Sequence, residues 1–500
     1  MTLHSRMLQR RLPLLFLSFL LMAGPMVSFN SQAEGLSNQL PDIGKVGARV
    51  LSPREEQQIG QEFMRSVRSG LNLLDDRPTT AYLQGLADRL ASSLDEEHQP
   101  ITVFWVNDPS INAFAGPGGF IGVHTGLLLS AQTEAELASV VAHEIAHVTQ
   151  RHLVRSFQAN QRMSLPTMGA LIAALVLGAS SPQIGEAVLA TTLATSAQQQ
   201  LTHSRSNEQE ADNIGLEMLF NAQYNPTAMV AFFETLQNKQ RLVESAAPEF
   251  MRTHPLTLSR IADARNRAEQ YPPSPANDPT YFQLMQARTA ILTHTTPPEF
   301  ATNTRNNLTT RQYLAALQAV EREQFNEARG ILEALTKKNN HLVLFQYTAA
   351  QIELADNQPQ KAHDLLKQTL AVFPGNLSVI ELYVETLLRL EQAQEAKDLL
   401  SATLRKHPDQ FYLYQPYAKA AAMLGQKSEA YRALAERQTA MGNLYQAVDY
   451  LRQALETPGL DTNDRLSMQA RQDMLKQQIR EHEEATAHEQ EDQSDSHSPH

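Results

Sequence analysis

Cysteine is absent from the 500-residue sequence, and this absence limits the chemistry that the protein can use. Without cysteine the chain forms no disulfide, has no thiol nucleophile and offers no thiolate to a metal. Any metal site must therefore be built from histidine, aspartate or glutamate. The absence does not indicate whether the protein works in an oxidising or a reducing compartment.

The chain also lacks an excess of positive charge, because 42 lysines and arginines stand against 54 acidic residues, for a formal net charge of −12. Binding to phosphates needs a basic surface, so we expect no nucleic-acid partner. A hydrophobic share of 42% suits a globular chain, and 500 residues are too many for one core. The sequence therefore predicts two domains or more.

The first 33 residues have the order of a secretory signal peptide. Basic residues up to Arg11 precede an apolar run at 12–27, and Ser31 and Ala33 supply small residues before a cleavage point. We predict export with cleavage near Ala33. An uncleaved membrane anchor is the alternative.

The rest of the chain divides into regions with different patterns. Residues 34–271 predict a mainly helical domain with a small sheet, whose strands lie near 101–106 and 120–124. Capping residues predict helices that begin after Ser52 and Thr133. A proline-rich stretch predicts a linker with connecting helices at 272–308. Residues 461–500 predict a terminal helix and then, from about Arg480, a disordered acidic tail that contains histidines.

An apolar stretch at 165–179 needs separate mention. It is shorter than the roughly 20 residues that cross a bilayer. We expect a buried or lid-like helical hairpin over the active site, while a peripheral membrane contact and a true span are the alternatives.

Residues 309–460 contain an internal repeat of 34 residues. The repeat places alanine at four equally spaced positions, which are Ala328, Ala362, Ala396 and Ala430. A small residue where two helices cross, at this period, predicts tetratricopeptide (TPR) repeats, which build a groove for peptides or proteins. A generic helical array without a ligand is the alternative. We expect residues 311–458 to bind protein partners independently of catalysis.

The motif with the clearest chemistry is His143-Glu144-x-x-His147. Positions i and i+4 share one face of a helix, so both imidazoles can reach one ion. Glu144 lies beside them and can take the proton of a water that the metal activates. A solvated helix face is the alternative interpretation.

A third ligand is expected from a second helix. Glu208 and Asp212 lie four residues apart and share a face, so Glu208 could bind the metal while Asp212 bonds a ligand histidine. Glu210 points to another face and is the weaker candidate.

Together these motifs resemble the zinc metallopeptidase family of the CAAX prenyl endopeptidases and the heat-shock protease HtpX. The resemblance rests on His143-Glu144-x-x-His147, on Ser204-Arg205-x-x-Glu208-x-x-Ala211-Asp212, on Asn112-Ala113-Phe114 and on Thr253-His254-Pro255 with Arg260. It implies one Zn²⁺ per chain with Glu208 as third ligand, Glu144 as general base and Asp212 as an outer acidic residue. The expected fold is mainly α: a zincin-type metallopeptidase domain followed by an all-α TPR solenoid.

With a signal peptide and C-terminal repeats, the chain is similar to periplasmic members of that family. The resemblance implies a protease with a chaperone-like side, which acts on unfolded or stalled outer-membrane β-barrel proteins and contacts their assembly machinery through the repeat groove. A repeat-based chaperone or adaptor with a structural zinc site is the alternative. The intact Glu144 favours the protease, because a structural site does not need that carboxylate.

Two further expectations concern how substrate reaches the metal. Residues Gly119, Phe120, Ile121, Gly122 and Val123 are expected to form an edge strand that pairs with an extended substrate. His254 is expected to fold back over the site. There it could be a fourth ligand that keeps the enzyme closed, an oxyanion donor or an ordinary loop histidine, and we favour the first.

Overall fold

The computed structural model describes residues 52–94, 98–157, 205–242, 248–272, 274, 277–296 and 307–495. The predicted signal peptide (1–33) and the apolar stretch at 165–179 lie outside the described residues. Before the repeats the helices are α1 (Pro53–Gly70), α2 (Arg77–Ala91), α3 (Thr125–Ser130), α4 (Glu134–Thr149), α5 (His152–Phe157), α6 (Arg205–Asn221), α7 (Thr227–Leu242), α8 (Glu249–Thr253), α9 (Leu258–Ala268) and α10 (Thr280–Leu292). The strands are β1 (Thr102–Val106), β2 (Ala113–Ala115) and β3 (Phe120–His124).

The predicted helix starts are confirmed by their capping contacts. Ser52 caps α1 in a complete capping box, in which its hydroxyl accepts from the Glu55 N–H and the Glu55 carboxylate accepts from the Ser52 N–H. Thr133 caps α4 by accepting from the N–H of Glu136. The Glu136 carboxylate reaches one residue further back, to the N–H of Gln132. Both contacts satisfy N–H groups that have no partner inside the helix.

The small sheet has the order β1-β3-β2, so the strand predicted to lie at the edge is in the middle. β3 pairs with β1 in parallel and with β2 antiparallel, and the prediction that residues 119–123 form an edge strand is wrong. The reason is β2, a strand of three residues that is too short to show an alternating pattern. The chain turns back after β2 through Gly118 and Gly119, whose φ angles of 72° and 81° suit glycine.

Helix α4 is the centre of the core, and its residues 136–148 are all buried. It packs against α6, α2, α7 and β2. One continuous cluster of buried apolar side chains extends from α2 through the sheet, α4 and α6 to the first repeat helices. Any polar group on α4 is therefore removed from water, so it needs partners from the neighbouring elements.

The predicted linker at 272–308 contains a buried helix, α10. The Gln286 amide on this helix donates to the carbonyls of Leu128 and Ala131, both at 2.9 Å. Arg288 forms a bidentate pair with Asp76, the N-cap of α2, with a shortest N–O distance of 2.6 Å. These buried contacts fix α10 against the first domain.

The repeats form five successive helix pairs within the described residues. They are α11 (Leu308–Glu321), α12 (Phe325–Lys338), α13 (Val343–Ala355), α14 (Pro359–Val372), α15 (Leu377–Arg389), α16 (Ala393–Lys406), α17 (Tyr414–Met423), α18 (Lys427–Ala440), α19 (Leu444–Leu455) and α20 (Thr462–Asp495). The alanines of the 34-residue period lie on the second helix of the first four pairs, and all of them are buried. They allow close helix packing, which confirms the repeat architecture.

The later repeats also contact the first two helices. Arg77 at the start of α2 lies 3.9 Å from the ring centre of Tyr412 and pairs with Glu381 on α15. Arg68 on α1 lies 4.6 Å from the ring centre of Phe411. The repeats are therefore joined to the helical domain at α10, α2 and α1.

Helix α20 continues to Asp495, past the point near Arg480 where composition predicted a disordered tail. This stretch is rich in glutamate, glutamine and alanine, which favour helix as much as they favour solvation. Among the described residues, no helix has both the length and the apolar character that crossing a bilayer requires.

Candidate metal centre

Three separate elements bring four potential metal ligands together. Helix α4 supplies His143 and His147, α6 supplies Glu208, and the residue that ends α8 is His254. Each of these side chains is at most 2% exposed. One donor atom from each lies within 4.8 Å of the others. The structure thus brings together the three predicted ligands and the predicted fourth candidate.

The donor atoms lie at distances that one small ion could span. His143 Nε2 lies 3.0 Å from His147 Nε2, 3.3 Å from His254 Nδ1 and 3.5 Å from a Glu208 oxygen. The other Glu208 oxygen lies 3.4 Å from His147 Nε2 and 3.1 Å from His254 Nδ1. Ligands at about 2.0–2.1 Å from a tetrahedral ion are about 3.3–3.4 Å apart. The residues present therefore fit a small divalent metal.

Glu144 lies on α4 between the two histidines and is fully buried. Burial raises the pKa of its carboxyl group, although nearby histidine charges and the backbone amide of Ala115 oppose this shift. One carboxylate oxygen lies 3.4 Å from His254 Nε2. A carboxyl group whose pKa is raised towards neutrality is suited to accept and return a proton.

Asp212 and Arg260 hold His143 and Glu208 from outside the cluster. His143 Nδ1 lies 3.0 Å from an Asp212 oxygen, and the Arg260 guanidinium donates to both Asp212 oxygens at 2.7 and 2.8 Å. Arg260 also pairs with Glu208 at 2.6 Å. Burial alone would raise the pKa of Asp212, but its contacts with Arg260 and His143 lower it below the usual value. Asp212 therefore stays ionised and fixes the orientation of His143.

Glu210 is not part of the cluster. It accepts from His152 Nε2 at 2.9 Å, and the other ring nitrogen of His152 lies 2.7 Å from His147 Nδ1. The sequence left a choice between Glu208 and Glu210 as the third ligand, and only Glu208 lies beside His143 and His147. His152 was missed by sequence reasoning, because it follows the motif by five residues and lies in another helix.

His254 is held over the cluster by its own short helix. The His254 ring stacks on Phe250 with centroids 4.6 Å apart, and the backbone N–H of His254 donates to the Phe250 carbonyl. The Phe250 N–H in turn donates to Ile111, just before β2. Helix α8, the strand β2 and the cluster are therefore directly connected.

β2 is one of the two edge strands of the sheet, and its Ala113 and Phe114 are buried. The His124 N–H donates to Asn112, and the Gly116 N–H donates to Phe120, so the backbone groups at these positions face β3. Because directions alternate along an antiparallel strand, the N–H and C=O groups of Ala113 and Ala115 face the other way. Within the described residues no strand pairs with that side.

Comparison with known proteins agrees with the site. Residues 78–268 match the family model of Peptidase family M48, and residues 353–419 match a tetratricopeptide repeat model. Fold, buried ligand cluster and family match define the chain as a metalloendopeptidase with a repeat region.

The relatives make the assignment more specific. The beta-barrel assembly-enhancing protease of Escherichia coli (strain K12) is 37% identical over 66% of this chain and 69% of the relative. The protein of that name from Yersinia pestis is 34% identical over 69% of this chain and 73% of the relative. Mitochondrial metalloendopeptidase OMA1 of Schizosaccharomyces pombe is 30% identical over 41% of this chain and 59% of the relative. The chain belongs to the family of the beta-barrel assembly-enhancing proteases.

Proposed function

We propose that the protein is a periplasmic zinc endopeptidase with chaperone-like activity that promotes the assembly of outer-membrane β-barrel proteins or degrades those that stall. The observation that supports it most is the buried cluster of His143, His147 and Glu208 with Glu144 beside it. We assign one Zn²⁺ per chain to the three ligands, since nitrogen and carboxylate donors in a tetrahedral set suit zinc. The signal-peptide pattern at 1–33 supports export, and the names of the relatives support the substrate class.

The residues of the chain divide the chemistry between them. When bound, Zn²⁺ acts as a Lewis acid that makes water nucleophilic near neutral pH. Glu144 accepts the proton of the attacking water and returns it to the leaving amine, and its burial keeps its pKa raised for both steps. Asp212 keeps the proton of His143 on Nδ1, so that Nε2 can bind the metal.

Substrate reaches this centre along β2 in our proposal. An extended polypeptide could pair with the outward backbone groups of Ala113 and the C=O of Ala115 and extend the sheet by one strand. The amide of Ala115 also faces Glu144, so a peptide on this edge would lie next to the general base. Backbone pairing selects extended chains over folded ones, which suits a precursor of a β-barrel protein.

The repeat groove supplies a second contact for protein partners. A cavity of about 780 Å³ lies between α15, α17 and α18. Leu388, Ala422 and Tyr431 give it an apolar wall, and Lys419 and Lys427 stand at its border. We assign this region to unfolded β-barrel precursors and their assembly machinery. A peripheral membrane contact through 165–179 remains a prediction outside the described residues.

The test of this function separates metal binding from catalysis. Glu144→Gln keeps all ligands but removes the base, so we expect one zinc per chain with casein cleavage lowered by roughly 100-fold to 10,000-fold. His147→Ala removes a ligand, so both zinc and cleavage should be lost. Chelator-sensitive cleavage by Glu144→Gln at the wild-type rate would contradict the assignment. The trapped variant should also retain outer-membrane β-barrel precursors in cells.

His254 has a separate prediction. With Nδ1 at the fourth position and Nε2 next to Glu144, its ring occupies the place of water and blocks the base. His254→Ala should therefore raise basal cleavage of unstructured casein, while zinc content stays at one per chain. A fall in cleavage with zinc retained would instead assign an oxyanion role to His254. Phe232→Leu changes a nearby core residue that is not a metal ligand, so it is the control for an effect of looser packing alone.

A further inference from the structure

His152 lies in an unusual place relative to the zinc-binding motif. It follows His147 by five residues, which on a continuous helix would turn its side chain about 140° away. Helix α4 instead ends at Thr149, and Arg151 adopts a left-handed conformation with φ of 52°. An ion pair between Arg151 and Glu56 of α1 holds this turn at 2.8 Å. The turn brings the fully buried His152 ring against His147.

With a metal on His147 Nε2, the distances between the rings assign the protons. Metal binding through His147 Nε2 leaves the proton of this ring on Nδ1. That Nδ1–H donates to His152 Nδ1 at 2.7 Å, so His152 carries its own proton on Nε2. The Nε2–H of His152 then donates to Glu210 at 2.9 Å. The hydrogen bonds between the three side chains thus run in a single direction, from His147 to Glu210.

The two ligand histidines therefore have different outer partners. His143 Nδ1 faces the carboxylate of Asp212 at 3.0 Å, and this carboxylate is buried and held by Arg260. His147 donates to a neutral imidazole, and the carboxylate of Glu210 is one residue further away, at the surface. Both arrangements orient a ring, but only the second connects the metal centre to a solvent-exposed acid through a histidine.

We propose that His152, with Glu210 behind it, is a positioning residue that fixes the tautomer and the ring orientation of His147 for metal binding. The inference rests on the metal centre proposed above. His152 does not contact the metal ligand position itself, so its effect must be transmitted through His147. Loss of such an outer partner typically lowers metal affinity by about 10-fold to 100-fold.

Two near-isosteric substitutions of His152 test which of its two ring nitrogens affects zinc affinity. In His152→Asn the side-chain amide oxygen can occupy the place of Nδ1 and still accept from His147. In His152→Gln the amide reaches the place of Nε2, so the contact with Glu210 can persist while the acceptor for His147 is lost. We expect zinc affinity within about threefold of wild type for His152→Asn and a loss of about 10-fold to 100-fold for His152→Gln. Arg155→Ala, which removes only the outer ion pair of Glu210, should leave affinity unchanged.

The measurement is chelator competition with Zn²⁺ on the full chain, together with the visible absorption spectrum of the Co²⁺-substituted protein. A changed spectrum for His152→Gln, and a wild-type spectrum for His152→Asn, would support a change in ligand geometry. Equal affinity and spectrum for His152→Gln and wild type would overturn the inference, as would an equal loss in both variants. Failure of wild type to bind one Zn²⁺ would instead overturn the metal centre. Melting of the metal-free variants separates a general loss of packing from an effect on the site.

Discussion

Two arginines make similar contacts in two regions of this molecule. In the peptidase region, Arg260 on α9 bridges two carboxylates one helical turn apart on α6, Glu208 and Asp212. In the repeats, Arg329 on α12 bridges two carboxylates at the end of α13, which are Glu353 and the C-cap residue Asp356. Both guanidinium groups make several hydrogen bonds, so the chemistry of the two bridges is the same.

The surroundings are different. The Arg260 side chain is 4% exposed and its partners are 1% and 5% exposed, whereas the Arg329 side chain is 26% exposed and its partners Glu353 and Asp356 are 8% and 33% exposed. A buried charge that loses its partner is very costly, while a pair near water contributes little. The comparison indicates that the peptidase region depends on exact pairing of charges to keep its ligands in place. The repeats depend on the fit of small apolar side chains.

The largest expected effect follows from removing each arginine. Arg260→Met leaves Glu208 and Asp212 buried without a cation, so the metal-free protein should lose about 3–5 kcal/mol of unfolding free energy. Arg329→Met is the matched control and should cost less, about 1–2 kcal/mol, because Asp356 and the arginine itself are partly open to water although Glu353 is buried. Denaturant unfolding with a chelator present measures both. Equal losses would show that burial does not distinguish the two bridges.

Much of this organisation could be predicted from the sequence, because the patterns are local. The His143-Glu144-x-x-His147 spacing places two ligands on one helix face without any tertiary information. The caps at Ser52 and Thr133 and the 34-residue period of alanines are also short-range patterns. These features predicted the ligand helix and the repeats, and strand patterns at 101–106 and 120–124 predicted β1 and β3.

The remaining features depend on contacts between distant segments. β2 has only three residues, so no alternation marks it, and its pairing with β3 determines which strand has the free edge. His152 reaches His147 only because of the left-handed turn at Arg151, which the sequence does not predict for an arginine. The apolar and polar residues of α10 show no clear face, since it is buried on most sides.

A second prediction tests the inference that the repeats depend on the fit of small apolar side chains. Ala362 on α14 is fully buried where neighbouring helices meet, and Lys361 beside it is exposed. Ala362→Leu adds volume to a filled core and should cost about 1–3 kcal/mol. Lys361→Leu introduces the same side chain at the surface of the same helix and should change stability by no more than about 0.5 kcal/mol. Similar effects of both changes on thermal unfolding would indicate that the repeats tolerate looser packing than we infer.

The smallest expected effect is the dependence of zinc affinity on pH, which tests the buried charges of the peptidase region. Burial opposes the charged form of His143, but hydrogen bonds and charges from Asp212 and Glu208 outweigh it and raise the pKa of the metal-free ring to about 10. A raised pKa stabilises the metal-free fold fully below the unfolded value near 6.5, and that contribution is lost as pH rises through about 10. Between these values the metal must displace a proton, so zinc affinity should rise with pH.

The expected slope is at most about tenfold per pH unit, or about 1.4 kcal/mol, between roughly pH 7 and pH 9. Chelator-buffered zinc titrations at fixed ionic strength measure it directly. Asp212→Asn keeps the shape of the His143 partner but removes one of the charges that raise its pKa, so its slope should be shallower over the same range. A wild-type affinity that does not change between pH 7 and pH 9 would mean that His143 is already neutral there. In that case the carboxylates would act on this ring mainly by orienting it, as His152 is proposed to orient His147.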